Sequence, residues 1–304
     1  MKDNSLVKYL LWSFALAWPI QALASYLALQ GHTMAFQLIM VVCMFTPLLA
    51  AVLARVPLGD LGWRPGLRQN WKWLLAAWLI PALLMVLGAA VYFLCFPARF
   101  DLSGKTFLAQ LEATGPEALA QYQAQALPVS FFLLIQAAAA LSYAPFINIF
   151  PSLGEEIGWR GVMLPRLKER FGRRKGLLLG GLIWGAWHWP VMLLAGYEYG
   201  LSYWGFPVLG MLAFCLFAAA LGIFLDLLYE KTGSIWYPSL GHGAVNAVAG
   251  VPLLFLDPAF ANEIILGPSL HGLIAGIPLM LLAAVLLLKA PGAAAPSAGE
   301  SSGA

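Results

Sequence analysis

Charged residues are scarce in this chain. Of its 304 residues, 10% are Asp, Glu, Lys or Arg, whereas 61% are hydrophobic. Soluble domains carry about 25% charged residues, so this composition excludes a soluble globular domain. The net charge is only +3. A nucleic-acid-binding surface needs a basic patch, and no such partner is indicated.

Cysteine is also scarce, and so is histidine. The three cysteines, Cys43, Cys95 and Cys215, lie far apart in apolar runs. Their spacing excludes a disulfide framework and a cysteine-rich metal cluster. The chain has only four histidines, so a histidine within an apolar run needs an explanation.

Long apolar runs make up most of the chain. A bilayer-spanning helix needs about 17–25 apolar residues, and runs of this kind predict an all-α, multi-pass integral membrane protein of about eight helices. In a prokaryote it would lie in the plasma or inner membrane. We expect one domain over residues 1–290 and a disordered tail over 291–304, which is rich in Ala, Gly, Pro and Ser. The predicted segments are 6–29, 34–54, 72–96, 130–150, 176–195, 206–228, 238–256 and 268–288.

The basic residues predict the orientation. With both termini in the cytoplasm, 15 of the 17 Lys and Arg residues lie on the cytoplasmic side, as the positive-inside rule requires. The basic run from Arg166 to Lys175 is interpreted as an anchor of this kind. The first run ends in Ala22-Leu23-Ala24, which is similar to a signal-peptidase site, but its length favours a retained helix. The external loop 97–129 should contain a short surface helix with an apolar face at Phe107, Leu108 and Leu111.

The most concentrated charge in an apolar setting is Glu155-Glu156, followed by Arg160. Ionisable groups near membrane depth indicate a functional site. Glu156 and Arg160 are four residues apart and can pair on one helical face, which leaves Glu155 about 100° away, free to act as a base. One alternative is a capping box, with Ser152 as the N-cap and Glu155 bonding back to it.

Two histidines lie in later apolar runs. His188 shares a helical face with Gly181 and Gly185, which favours a position inside a helix bundle, and Pro190 should break the helix nearby. His242 and Asn246 are four residues apart and project from one face. Each could instead be an ordinary buried polar group that bonds neighbouring helices.

Other polar residues are interpreted as interfacial. They are Asp226, His32 and His271.

The depths of these groups do not match. His188 lies about a dozen residues into its segment, or roughly 18 Å at 1.5 Å per residue, whereas Glu155 lies at the cytoplasmic edge. Either the helix of His188 begins later, near Leu179, or the glutamate helix reaches into the bilayer.

Together the three patterns resemble the motifs of the CPBP intramembrane proteases, a group that includes the CAAX prenyl endopeptidases of the Ras-converting type. The patterns are Glu155-Glu156-xxx-Arg160, Trp184-xxx-His188 and His242-xxx-Asn246, in that order. They define a motif core at about 150–250. The family usually has Phe at the position of Trp184.

This resemblance implies a polytopic fold and roles for each residue. Glu155 and His188 would activate a water, His242 and Asn246 would stabilise the oxyanion, and Glu156 and Arg160 would support the site. The substrate would be a membrane-associated peptide or protein, with or without a prenyl group. A metalloendopeptidase stays open, because Glu155, His188 and His242 could also hold Zn²⁺ with an open water position. Two further hypotheses are a non-catalytic scaffold or immunity protein of the same fold, and a transporter that uses the buried charges.

Overall fold

The computed structural model describes residues 4–289, and over this range the chain is helical and contains no β-strand. The predicted tail at 291–304 lies outside the described residues. In chain order the helices are α1 (Asn4–Leu29), α2 (Thr33–Cys43), α3 (Thr46–Leu53), α4 (Leu67–Cys95), α5 (Lys105–Thr114), α6 (Pro116–Ala124), α7 (Val129–Leu141), α8 (Ala144–Glu156), α9 (Leu164–Phe171), α10 (Arg173–Trp187), α11 (Trp189–Ala195), α12 (Val208–Thr232), α13 (Trp236–Val248) and α14 (Ile277–Lys289).

Five helical segments among these residues are long and apolar enough to cross a membrane, or six if the bent pair α6–α7 forms one span. They are α1, α2–α3, α4, α10–α11 and α12, and each coincides with a predicted segment. The all-α membrane fold is therefore confirmed.

The predicted number of eight spans is not confirmed. The segments predicted at 238–256 and 268–288 contain α13 and α14, which have 13 residues each. Such a helix is about 20 Å long, shorter than the roughly 30 Å hydrocarbon core. After α13 the chain continues as a short 3₁₀ turn, Val251–Phe255. Apolar character alone did not reveal this difference, because a buried helix is as hydrophobic as a spanning one.

The loop 97–129 contains helices α5 and α6, so the predicted short helix is present. Its apolar face packs on the protein itself. Phe107 is buried with Leu133 and Leu254, and Leu108 and Leu111 pack against the same cluster.

Glycines bring the central helices into close contact. A Cβ atom on Gly181 would lie 2.2 Å from the Ala219 Cα atom, and one on Gly185 would lie 2.6 Å from the Cys215 Cα atom. Helices α10 and α12 therefore pack with their backbones nearly touching, as the small-residue pattern predicted. Gly243 does the same for α13 and α8, because its Cβ atom would meet the backbone of Asn148 at 2.9 Å. Helix α12 also packs against α13, so these contacts join α8, α13, α12 and α10 into one packed unit.

Candidate active site

The glutamate pair lies at the end of α8, not at the start of a helix. Helix α8 begins at Ala144, with Pro145 in its first turn, where a missing N–H costs little. Ser152 is therefore inside the helix, and its buried hydroxyl has no partner among the described residues. The capping-box alternative for Glu155 is wrong, because the helix begins two turns earlier.

After Glu156 the backbone continues as a π-helical segment, Ile157–Met163. Segments of this kind are rare and occur frequently at functional sites. Gly158 lets the segment approach its neighbours, since a Cβ atom there would lie 2.4 Å from both the Tyr9 hydroxyl and the Pro47 Cβ atom.

Glu155 is held by two tryptophans. Its Oε2 atom accepts hydrogen bonds from the indole N–H groups of Trp159 at 3.0 Å and Trp184 at 2.8 Å. The side chain is only 2% exposed. Since Oε2 is occupied, Oε1 is the oxygen left to bind a water or substrate.

Glu156 forms the predicted pair with Arg160 and also holds His242. Its Oε1 atom accepts from Arg160 Nη1 at 3.0 Å and lies 2.8 Å from His242 Nδ1. The Arg160 guanidinium stacks on the Trp184 ring, 4.6 Å from the centroid. Because a carboxylate can only accept, Nδ1 of His242 carries the proton of this contact, and Nε2 is left for other partners.

His188 lies at the break between α10 and α11, two residues before Pro190. Its Nδ1 atom is 3.0 Å from the Trp184 carbonyl oxygen. A carbonyl oxygen only accepts, which assigns a proton to Nδ1 and a lone pair to Nε2. The ring packs edge-on against Trp187 and Phe214, with centroids at 4.7 and 4.8 Å.

Gln21 of α1 bridges this break. In an unbroken helix the Val191 N–H would bond the Trp187 carbonyl directly. Here the Gln21 amide stands between them: it donates to Trp187 at 2.8 Å and accepts from Val191 at 3.3 Å. Gln21 is fully buried. This role was not predicted, although a glutamine within an apolar segment is unusual enough to indicate a buried polar contact.

One cavity of about 660 Å³ collects the predicted groups. Its lining includes Glu155, His188, His242 and Asn246. The offset expected between Glu155 and His188 is not present in the structure. Helix α10 begins at Arg173, not near Leu179, and the bond from Trp184 to Glu155 places this carboxylate within one turn of His188.

His271 was wrongly interpreted as an interfacial residue, whereas His32 is exposed as expected. His271 is 6% exposed, and its Nε2 atom lies 3.0 Å from Glu198 Oε2. Both side chains line the same cavity as Glu155. His271 is 83 residues from His188 and in no repeating pattern with it, so nothing in the sequence indicated this contact.

Asp226 and part of the basic run also differ from expectation. Asp226 is 1% exposed, and Lys168 Nζ binds it at 2.7 Å. Arg173 lies 3.6 Å from its other oxygen and also binds Glu230. Lys168 and Arg173 thus join α9 and α10 to α12 in addition to any anchoring role, because a carboxylate buried at Asp226 requires cationic partners.

Glu155, His188 and His242 are the three residues that could hold a zinc ion. In residues 4–289 no group of three or more His, Cys, Asp and Glu residues is arranged to hold a metal ion. The contacts of Glu155 Oε2 and His242 Nδ1 do not occupy Glu155 Oε1 or the Nε2 atoms of His188 and His242, but the three residues are not arranged as a metal-binding group.

Comparison with known proteins gives two matches. Residues 136–248 match the family model described as type II CAAX prenyl endopeptidase Rce1-like. Over 55 residues the chain is 33% identical to CAAX prenyl protease 2 of Methanococcus maripaludis. That alignment covers 18% of this chain and 20% of the relative, so the match spans about a fifth of the relative's length.

The matched segment contains all three motifs and every residue predicted for the site. The resemblance drawn from those motifs is therefore confirmed: residues 136–248 of this chain are similar to the Rce1-like type II CAAX prenyl endopeptidases.

Proposed function

We propose that this chain is an intramembrane endopeptidase in which Glu155 and His188 activate a water molecule for attack on a peptide bond. The observation that carries the proposal is the shared cavity, where Glu155, His188, His242 and Asn246 meet although they come from three helical segments. Burial excludes bulk water from these groups, which strengthens their electrostatic effects.

The water binds between Glu155 Oε1 and His188 Nε2. Glu155 takes one proton, and the hydroxide attacks the carbonyl carbon of the peptide bond. When the tetrahedral intermediate collapses, the C–N bond breaks and the proton passes to the leaving amine nitrogen. The products are a new carboxyl terminus and a new amino terminus.

His242 and Asn246 stabilise the negative oxygen of the intermediate. Glu156 fixes the His242 ring through Nδ1 and balances the charge when Nε2 is also protonated. The side-chain amide of Asn246 is exposed to the cavity and supplies a second N–H donor. Loss of one such donor typically lowers kcat by about 10²–10³-fold.

The substrate we propose is a membrane-associated peptide or protein, with a prenyl chain as the anchor. An apolar groove of about 700 Å³ lies beside the polar cavity, and Met85 lines both. Its walls come from α4, α7 and α13 and are almost wholly aliphatic and aromatic. A groove of this kind can hold a hydrocarbon chain while the attached peptide reaches Glu155.

The experiment is cleavage of prenylated and unmodified peptides by the purified protein in proteoliposomes. Glu155→Ala, His188→Ala and His242→Ala should each lower turnover by at least about 10²-fold, while insertion is unchanged. Glu263→Ala serves as the control, because Glu263 pairs with Arg99 away from the cavity. Normal turnover by all three variants would rule the proposal out.

The same preparation tests the other hypotheses. Solute flux into the vesicles without cleavage would favour a transporter, and cellular function that survives Glu155→Ala would favour a scaffold or immunity role. For zinc, we expect turnover to persist after dialysis against a chelator. Loss of turnover that added Zn²⁺ restores would instead establish a metallopeptidase.

A further inference from the structure

The cavity has a second polar end that the proposed reaction does not use. Glu198 and His271 line it together with Glu155 and His188. Glu198 comes from the loop between α11 and α12, and His271 from the segment before α14. Two distant parts of the chain therefore bring a carboxylate and an imidazole to the cavity that holds the reacting groups.

The backbone of Glu198 has an unusual conformation, and the packing of the next residue holds it in place. Its φ angle is +68°, a conformation that is unfavourable for a non-glycine residue and is concentrated at ligand-binding and active sites. The next residue, Tyr199, is 1% exposed and donates its hydroxyl to the His271 carbonyl at 2.7 Å. The two segments are thus fixed to each other beside the Glu198–His271 contact.

This end of the cavity lies close to the catalytic imidazole. The ring of Tyr197 stacks parallel to that of His188, with centroids 6.2 Å apart and planes 6° apart. Glu198 is the next residue. The Glu198 carboxylate and burial hold the pKa of Tyr197 well above its usual range, so its hydroxyl stays protonated. A peptide bound with its cleaved bond at His188 could therefore bring a side chain a few residues away to Glu198.

The charge of the pair decides which ligand it accepts. Glu198 is the more exposed partner, with 19% of its side chain accessible against 6% for His271. An anionic group at this end of the cavity would meet the Glu198 carboxylate, whereas a cation gains a carboxylate partner in a partly desolvated setting.

We propose that Glu198, held by His271, is a subsite for a cationic group of the substrate peptide. The group is a Lys or Arg side chain, or a free α-amino group, within a few residues of the cleaved bond. This inference rests on the proposed function, since it assigns the peptide to the same cavity.

The first experiment compares cleavage of peptides that differ by one Lys→norleucine exchange at each position around the cleaved bond, with free or acetylated amino termini. At one position the intact protein should favour Lys by about tenfold in kcat/KM. Glu198→Gln should reduce this ratio to about 1, and Glu198→Lys should favour a Glu-containing peptide instead. The control, Glu263→Gln, should keep the ratio. A preference for the free over the acetylated terminus, lost in Glu198→Gln, would identify the amino group as the cation.

A binding measurement separates this inference from the proposed reaction. The Lys and norleucine peptides are titrated against Glu155→Gln protein, with and without Glu198→Gln. We expect the Lys peptide to bind about tenfold more weakly when Glu198 is replaced, with the norleucine peptide little affected. Equal binding of the Lys peptide to both proteins would overturn the subsite, whether or not the intact protein cleaves peptides.

Discussion

At the scale of single residues, Trp184 contacts most of the side chains in the candidate site. Its indole donates to Glu155, its ring face carries the Arg160 guanidinium, and the His242 ring packs edge-on against it at 5.2 Å. The resembling family usually has Phe here, which lacks the N–H. In this chain the tryptophan supplies a hydrogen bond that a phenylalanine cannot replace.

Trp184→Phe should therefore weaken the hold on Glu155. A hydrogen bond to a charged group contributes about 1.5–3 kcal/mol, so we expect a lower midpoint of thermal unfolding and a severalfold lower kcat. Trp187→Phe is the matched control for the unfolding midpoint alone, because Trp187 is similarly buried and its indole N–H has no partner among the described residues, while its ring packs against His188. Equal effects of the two variants would show that only lost volume matters.

Glu156 should contribute mainly to stability and to the orientation of His242. Removing one partner of a buried ion pair costs about 3–5 kcal/mol, and both Glu156 and Arg160 are almost completely buried. Glu156→Gln should therefore lower the unfolding midpoint far more than Glu263→Gln, because the Glu263 side chain is 56% exposed and ion pairs of exposed groups contribute less than about 1 kcal/mol. Similar midpoints in one detergent would contradict this assignment.

Spacing along the chain predicted the groups that share a helix. The Glu156–Arg160 pair and the shared face of His242 and Asn246 follow from a helical repeat. Glu198 and His271 could not be found this way, because their contact depends on how two loops fold over α12. The set of residues that line a cavity depends on tertiary packing. Contacts between distant residues leave no local pattern in a single sequence.

At the scale of elements, the break between α10 and α11 positions the His188 imidazole, which we propose activates water. Pro190 predicted a break, and the structure places it at His188 itself. The bridge from Gln21 then fixes both sides of the break. Helix α1 therefore helps to hold His188, which lies 167 residues after Gln21 in the chain.

Gln21→Leu should misplace His188 without removing any group that contacts the substrate. Small displacements of a catalytic group can lower turnover by up to about 10²-fold, so we expect kcat to fall by roughly 10- to 100-fold with KM nearly unchanged. Ser25→Ala is the control, since Ser25 is also buried in α1 but bonds only the Gln21 carbonyl. An unchanged kcat, or a rise in KM alone, would contradict a positioning role.

The π-helical segment after Glu156 was not predictable from local pattern. It depends on Gly158 packing against Pro47 and Tyr9, and on Gly161, whose Cβ atom would lie 2.7 Å from Leu61. The Ser152–Glu155 pattern suggested a helix start, but the packing of α8 on α13 continues the helix through it. Tertiary contacts therefore overrode a local capping signal.

At the scale of the whole molecule, the long apolar segments were predictable because their length alone exceeds the bilayer core. Helix α13 lies in the predicted segment 238–256, but it has 13 residues and most of them are buried by other helices. Hydropathy cannot distinguish burial in protein from burial in lipid. The membrane fold was therefore predicted correctly, while the predicted number of eight spans is not confirmed.

The orientation stays a prediction and has a direct test. With both termini in the cytoplasm, a cysteine introduced by Glu112→Cys in the loop 97–129 should react with a membrane-impermeant maleimide on intact cells. One introduced by Glu169→Cys in the basic segment should react only after permeabilisation. Both positions are exposed, and a Cys95→Ser background removes the exposed native thiol. The reverse pattern would show the opposite orientation.

The most direct measurement is peptide cleavage in H₂¹⁸O by the intact protein and by Glu155→Gln, read by mass spectrometry. Glutamine keeps the size of Glu155 and an acceptor for Trp159 and Trp184, but it cannot take a proton from water. We expect the intact protein to place one ¹⁸O atom in the new carboxyl terminus, and Glu155→Gln to be at least about 10²-fold slower at an unchanged unfolding midpoint. Cleavage by Glu155→Gln at the rate of the intact protein would contradict the assignment of Glu155 as the base.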